Sequence, residues 1–330
     1  MKKGLLLICA MLLHQEIFCW GFFAHKEINY HAVFLLPPEM MVFFKPHIDF
    51  LAVHAVDPDK RRYIVAGEGA HHFMDIDHYG TYPFSDLPRN YQAAVAKFSA
   101  DTLRSYGTVP WWVQTMLARL TKAFRDKDSR LILKYAAETG HYIADAHVPL
   151  HACTNHNGQL THQEGIHAFW ESRIPELLAL KDWDFFIGKA AYIKDPGAFI
   201  WARLLESAAA ADTVLRIEKE ISQRVSPDQR YAFEERNGVL LKQYSTFYTL
   251  LYNEKLKDMV ERRMRQSIFA VASFWYTAWV NAGQPILQGL NYDSLALPER
   301  QEYEQLNLDW KKGKIKGPDC EEQISAGTSP

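Results

Sequence analysis

Along this chain apolar side chains recur at intervals of three and four residues over long stretches, seldom at intervals of two. That spacing keeps one face of a 3.6-residue turn apolar, and it predicts helices over 93–106, 112–125, 129–146, 198–224 and 236–282. Alternation of the kind that makes half-buried strands is scarce. Between the helical stretches lie loops marked by proline and glycine: LLPPEM at 35–40, YGTYPFSDLP at 79–88 and ACTNHNGQLTHQEG at 152–165. No internal repeat and no linker-like stretch divides the chain. The pattern therefore implies an all-α fold, a single compact multi-helix domain over 20–310.

Two ends fall outside that domain. Residues 311–330, KKGKIKGPDCEEQISAGTSP, are polar and aperiodic and form an expected flexible tail. Residues 1–19 begin with Lys2 and Lys3 and continue with an apolar run from Leu5 to Leu13, the pattern of a signal peptide. The run is too short to span a bilayer, and no later segment is apolar for long enough to do so. Cleavage after Cys19 makes Trp20 the mature N-terminus and the protein secreted or periplasmic. Lipidation of Cys19 competes with that reading, but Glu16, Ile17 and Phe18 are not the small residues of a lipid-attachment motif.

Composition changes this picture little. A chain of 330 residues, 48% hydrophobic and 23% charged, buries an ordinary core. Its formal charge of -2 gives no global basic field for a nucleic-acid partner, although a metal cluster supplies positive charge locally. Of four cysteines, Cys9 and Cys19 belong to the leader. The spacing of Cys153 and Cys320 does not demand a disulfide, and Cys153 reads as a packed thiol ahead of a soft ligand.

The chemistry concentrates in HYIADAHVPLH at 141–151. His141 and Asp145, four apart, leave one helix face a turn apart, which suits chelation of one ion. Pro149 turns the chain, and His151 follows. In GIHAFWESRIPE, His167 and Glu171 repeat the spacing. A lone pair of this kind is more often a surface hydrogen bond. Two pairs within 31 residues, with a histidine between them, favour metal binding by imidazole and carboxylate, the donors of catalytic zinc sites. Upstream, HAVDPDKRR offers Asp57, otherwise a turn or cap residue, and GEGAHHFMDIDHY offers His72, with His71 pointing elsewhere. Asp75 is either an orienting partner for an imidazole or a surface group. In WGFFAH, a terminal amine and carbonyl at Trp20 chelate an ion beside His25, or Trp20, Phe22 and Phe23 simply anchor the chain end.

These residues resemble the zinc-dependent phospholipases C and the single-strand-specific nucleases of fungi and plants. The resemblance covers 20 to about 275 and is sharpest in HYIADAHVPLH. It implies a mostly helical fold and up to three Zn2+ ions in one cleft. The implied ligands are Asp57, His72, His141 and Asp145 for the first ion, and His151, His167 and Glu171 for the second. For the third they are the amine and carbonyl of Trp20, His25 and a second oxygen of Asp145. Glu171 and the loop ACTNHNGQLTHQEGI, which lacks the GGN of the nucleases, are more like the phospholipase branch. The WG start and the interval from Asp57 to His72 are more like the nucleases.

Two close zinc ions sharing a water would lower the cost of ionising it and so supply a hydroxide nucleophile for the phosphodiester, and the third ion would be placed to hold the departing oxygen. Asp57, as the catalytic residue, orients that water or accepts its proton. The expectation is a secreted zinc-dependent phosphodiesterase of phospholipase C type. The alternatives are a single-strand-specific nuclease giving 5'-phosphorylated products and a non-catalytic, metal-stabilised helical binding module. The substrate is accordingly phospholipid or single-stranded nucleic acid, for which Phe22, Phe23, Phe73, Tyr79 and Tyr82 are available as stacking rings, though core packing explains most such rings.

Overall fold

From residue 21 onward the chain coils into short helices before it builds long ones. In the computed structural model the described residues are 21–290, except 63, 237 and 238, and 301, 302, 304–306, 308, 309 and 312. The expected leader, Trp20 and all of the expected tail but Lys312 lie outside them. α1 (Phe22–Ala32), α2 (Pro38–Phe44), α3 (Ile48–Val53) and α4 (Asp57–Arg61) come first. Pro38 and Pro58 stand in the first turns of α2 and α4, where a missing N–H costs nothing.

The stretch expected to be helical over 93–106 is two helices, α5 (Tyr91–Phe98) and α6 (Ala100–Ser105). Ser99 separates them at φ 73°, and its hydroxyl accepts from the Thr102 N–H at 3.2 Å, which caps α6. α7 (Val109–Asp126) and α8 (Ser129–Asp145) follow the apolar spacing closely. α7 buries Val113, Met116, Leu117, Leu120, Ala123 and Phe124, all at threes and fours. α8 begins in the same way and is then buried on every side from Ala136 to Asp145. Its polar residues in that half cannot be solvated and must find partners inside.

After a loop, α9 (Ile166–Ala168) runs through a π-helical turn, Phe169–Arg173, into α10 (Ile174–Asp182). α11 (Pro196–Ser222) and α12 (Pro227–Arg230) lead to a correction of the expected long helix over 236–282. The chain instead forms an antiparallel hairpin, β1 (Tyr231–Arg236) and β2 (Val239–Tyr244), paired from Tyr231↔Tyr244 to Arg236↔Val239. Only then come α13 (Thr246–Lys255) and α14 (Met259–Asn281). Asn237-Gly238 is a hairpin signal in the sequence, flanked by the strand-forming Tyr231 and Phe233 on one side and Val239 and Tyr244 on the other. The fold remains all-α apart from this ribbon.

Among the described residues two apolar clusters fill the interior. One gathers Phe44, Phe124, Tyr142, Phe274 and Trp275 from α2, α7, α8 and α14. The other gathers Leu150, Phe169, Val214, Tyr248 and Tyr252. Ala146 belongs to the first and Val148 to the second, so the stretch 141–151 crosses from one to the other. α1 is locked to α8 by a close approach: a Cβ on Gly140 would lie 1.9 Å from Asn29 Oδ1. Asn29 Nδ2 donates to the carbonyls of Leu51 and Ala137, each at 3.0 Å. The contact lays the His25 ring on that of His141, centroids 4.1 Å apart.

Candidate metal centre

Buried imidazoles and carboxylates, delivered by six segments, meet where α1, α4 and α8 converge on the turns at 69–72, 149–152 and 166–173. Three groups have ligand atoms within 4.8 Å of one another: Asp59, His72 and His141; His25, His141 and Asp145; His151, His167 and Glu171. All eight residues are buried. His72 Nδ1 lies 2.9 Å from His141 Nε2, and Asp145 Oδ2 is 3.1 and 3.2 Å from these two atoms. Asp59 Oδ1 closes the group at 3.6 and 3.7 Å from the same nitrogens. The other oxygen of Asp145 is 3.4 Å from His25 Nε2, which is 3.9 Å from Glu171 Oε1.

The third group is the most telling. His151 Nδ1 donates to the His72 carbonyl at 2.6 Å, and His167 Nδ1 to the His156 carbonyl at 3.2 Å. A carbonyl only accepts, so both Nδ1 atoms carry a proton, which leaves Nε2 of each ring as the nitrogen available to a metal ion. Those two Nε2 atoms stand 3.1 Å apart, with Glu171 Oε2 at 3.3 and 2.6 Å from them. Two imidazole nitrogens and a carboxylate facing one another in a buried space call for positive charge among them, from a metal ion or from protons on the rings. Their chemistry, two imidazole nitrogens and a carboxylate, is that of a zinc site with an open position.

Electrostatics point the same way. Burial would raise the carboxyl of Asp145, yet the imidazoles of His141 and His151 hold it well below the ordinary carboxylate range. Glu171 is likewise raised by burial but held well below that range by His167 and His151. Burial opposes a charge on His25, yet Asp145, Asp59 and Glu171 together raise it to about 9. The cluster demands positive charge.

Sequence reasoning put Asp57 here as ligand and catalytic residue, and the structure places it elsewhere. Its Oδ2 lies 2.6 Å from His54 Nδ1, and its Oδ1 accepts from Lys60 Nζ at 3.0 Å. It does not belong to any of the three groups, and Asp59 stands in the place expected for it. Two residues along a helix are turned by about 200°, so one carboxylate of the Asp-Pro-Asp run faces α8 and the other cannot. Asp75, considered as an orienting partner, has its backbone N–H on the Tyr106 carbonyl, while its carboxylate, raised by burial and Asp77, is near enough to His151 to be lowered by it. The carboxylate near His72 Nε2 is that of Glu68, 3.9 Å away, which sequence reasoning did not single out. The Tyr142 hydroxyl donates to Glu68 Oε1, and Arg61 Nη2 is 3.5 Å from the same oxygen.

His71 faces away and stacks on Trp112. Cys153 belongs to none of the groups; burial, with Asp77 and Asp75 nearby, pushes its thiol up to about 12. Trp20 lies outside the described residues, but the next residue is on the cluster's edge. The Gly21 N–H donates to Ser172 Oγ at 2.6 Å, and a Cβ there would lie 2.9 Å from Glu171 Oε1.

Among curated proteins no sequence matches this chain. The family model for zinc dependent phospholipase C matches residues 24–222. That span covers more than half of the chain and all eight residues of the cluster, so the chain belongs to the zinc dependent phospholipase C family, hydrolases of phosphodiester bonds that depend on zinc.

Proposed function

We propose that this phosphodiesterase is a phospholipase C that cleaves phospholipids at the cluster, with three zinc ions. In this reading Asp59, His72, His141 and Asp145 hold the first, and His151, His167 and Glu171 the second. His25, the second oxygen of Asp145 and the amine and carbonyl of Trp20 hold the third. The observation that carries it is the convergence of His151 Nε2, His167 Nε2 and Glu171 Oε2 with both Nδ1 protons committed to backbone carbonyls. The place of Gly21 beside Glu171 supports a role for the residue before it and, with it, removal of residues 1–19 as an export leader.

When bound, zinc supplies a water that ionises near neutral pH and positive charge for the oxygens of the phosphodiester. The chain's part is positioning. Backbone carbonyls fix which nitrogen of His151 and His167 is presented, and Asp145 ties two groups together through its two oxygens. Walls buried to this degree exclude bulk water, so each charge acts at a lower dielectric than in solution. Among the described residues no helix is long and apolar enough to cross a membrane.

Metal analysis paired with hydrolysis of phosphatidylcholine and of single-stranded DNA tests the proposal. The expected result is bound zinc and lipid cleavage that His167→Ala lowers by at least about a hundredfold. Asp59→Asn costs zinc as well, whereas Asp57→Asn keeps it. Cleavage of DNA with none of lipid overturns the substrate, and full zinc in Asp59→Asn overturns the ligand set.

A further inference from the structure

A second concavity lies apart from the cluster. It is a cavity of about 520 Å³ whose lining contains none of the eight cluster residues. That volume suits a small organic molecule. His71 marks the division: it borders the cavity, while its neighbour His72 faces the cluster.

We propose that this cavity binds an organic phosphate monoester, with Arg89 and Arg104 taking the phosphoryl group and the walls of Tyr91, Trp111 and Trp112 taking an apolar or ring-shaped remainder. Charge decides the class. Arg89 and Arg104 border the cavity, and no carboxylate is among its lining residues. A monocarboxylate leaves one guanidinium uncompensated, whereas a phosphate monoester near neutral pH approaches two negative charges and has the oxygens for two guanidinium forks. Arg104 also has Asp101 at 3.5 Å, an exposed pair of little strength.

Arg89 is held in place before any ligand arrives. Its guanidinium lies 4.2 Å over the Trp201 ring, Nη2 donates to the Pro83 carbonyl at 3.1 Å, and its own carbonyl accepts from Trp111 Nε1 at 2.7 Å. Among the described residues Nη1 has no hydrogen-bond partner and no carboxylate pairs with this guanidinium. A cation fixed by neutral groups, with its charge uncompensated, is set up for an anion at low reorganisation cost. The aromatic wall is rigid too: Trp112 is sandwiched between the His71 ring, centroids 3.7 Å apart and nearly parallel, and the Arg119 guanidinium at 4.7 Å. His71 is fixed in turn by Thr108 Oγ1 at 3.0 Å. The inference does not rest on the hydrolase reading, because the cavity shares no residue with the cluster.

The test is calorimetric titration of the zinc-loaded full-length protein with phenyl phosphate, inorganic phosphate and benzoate. Wild type is expected to show a saturable phenyl phosphate site, with inorganic phosphate and benzoate each weaker. Arg104→Gln removes one cavity cation at an exposed position, and Thr115→Trp fills the rim from another; each is expected to weaken that site about tenfold or more. His167→Ala is expected to leave it unchanged. Binding that survives both cavity variants, or that disappears in His167→Ala, puts the anion at the metal cluster and overturns the proposal. So does the absence of saturable binding in wild type, and benzoate binding as tightly as phenyl phosphate overturns the assigned class.

Discussion

At the scale of single residues, the site combines pairs four apart on one helix face with partners that only tertiary contacts bring beside them. His141 with Asp145 and His167 with Glu171 announce a shared face because four residues make about one turn. The choice between Asp57 and Asp59 was not legible, since each begins a plausible interval to His72 and only the helix rotation separates them. Glu68 was hidden for another reason. Nothing in its neighbours says that a Tyr142 hydroxyl 74 positions away will hold it beside His72. Once Nδ1 of His72 is a ligand, Nε2 carries the proton and Glu68 is the carboxylate to orient it, so Glu68→Gln is expected to weaken zinc binding about tenfold while leaving the fold intact. Competition against a calibrated chelator measures it, and equal affinities exclude the orienting role. Asp75 gives a pH prediction at the same scale. Burial, with Asp77 nearby, raises its carboxyl to about 7. Between pH 4 and 7 the unfolded chain therefore binds fewer protons here than the folded one, and the group costs stability as pH rises. Asp75→Asn is expected to match wild type near pH 4 and to exceed it at pH 8 by about 1 kcal/mol, allowing for partial exposure. Denaturant unfolding of chelator-treated, zinc-free protein at both values checks the sign.

Between elements, the long helices were readable because their apolar faces repeat over many turns, as in α7 and α8. The hairpin was missed because a six-residue strand has little periodicity to set against its helical neighbours. Its role is positional. The Tyr244 ring stacks on Phe169 at 3.8 Å, and Arg173 joins Glu234 at 2.6 Å while donating from Nε to the Tyr244 carbonyl at 3.0 Å. The ribbon thus braces the π-helical turn that carries Glu171. On the other side the brace is Gly140, where α1 and α8 touch. Gly140→Ala is expected to cost about 1–3 kcal/mol, because its Cβ must displace an Asn29 side chain that already satisfies two carbonyls. In an Asn29→Ala background the same change is expected to cost much less, since the clash is gone and the two positions are coupled. Equal costs in both backgrounds, read from unfolding midpoints, rule out this contact as the source.

For the whole molecule, the cluster lies where the chain passes from one apolar core to the other, with candidate ligands drawn from residues 25 to 171. Sequence reading reached the all-α fold and the zinc-dependent chemistry but not this placement, which depends on contacts between residues more than a hundred apart. The consequence is a linkage between metal and fold. Buried acceptors that face one another are tolerable with cations among them and repulsive without. A ligand bound by the folded chain alone adds about 2.7 kcal/mol at a hundredfold excess over its dissociation constant. Chelation is therefore expected to lower the melting temperature by several degrees, and added zinc to raise it with the logarithm of its concentration. Glu171→Gln is expected to start lower and to lose less on chelation, because part of the metal's contribution is already gone. If complete removal of zinc leaves the melting temperature where it was, the ions do not join the two cores, and the repulsion inferred at His151, His167 and Glu171 is relieved by protons instead.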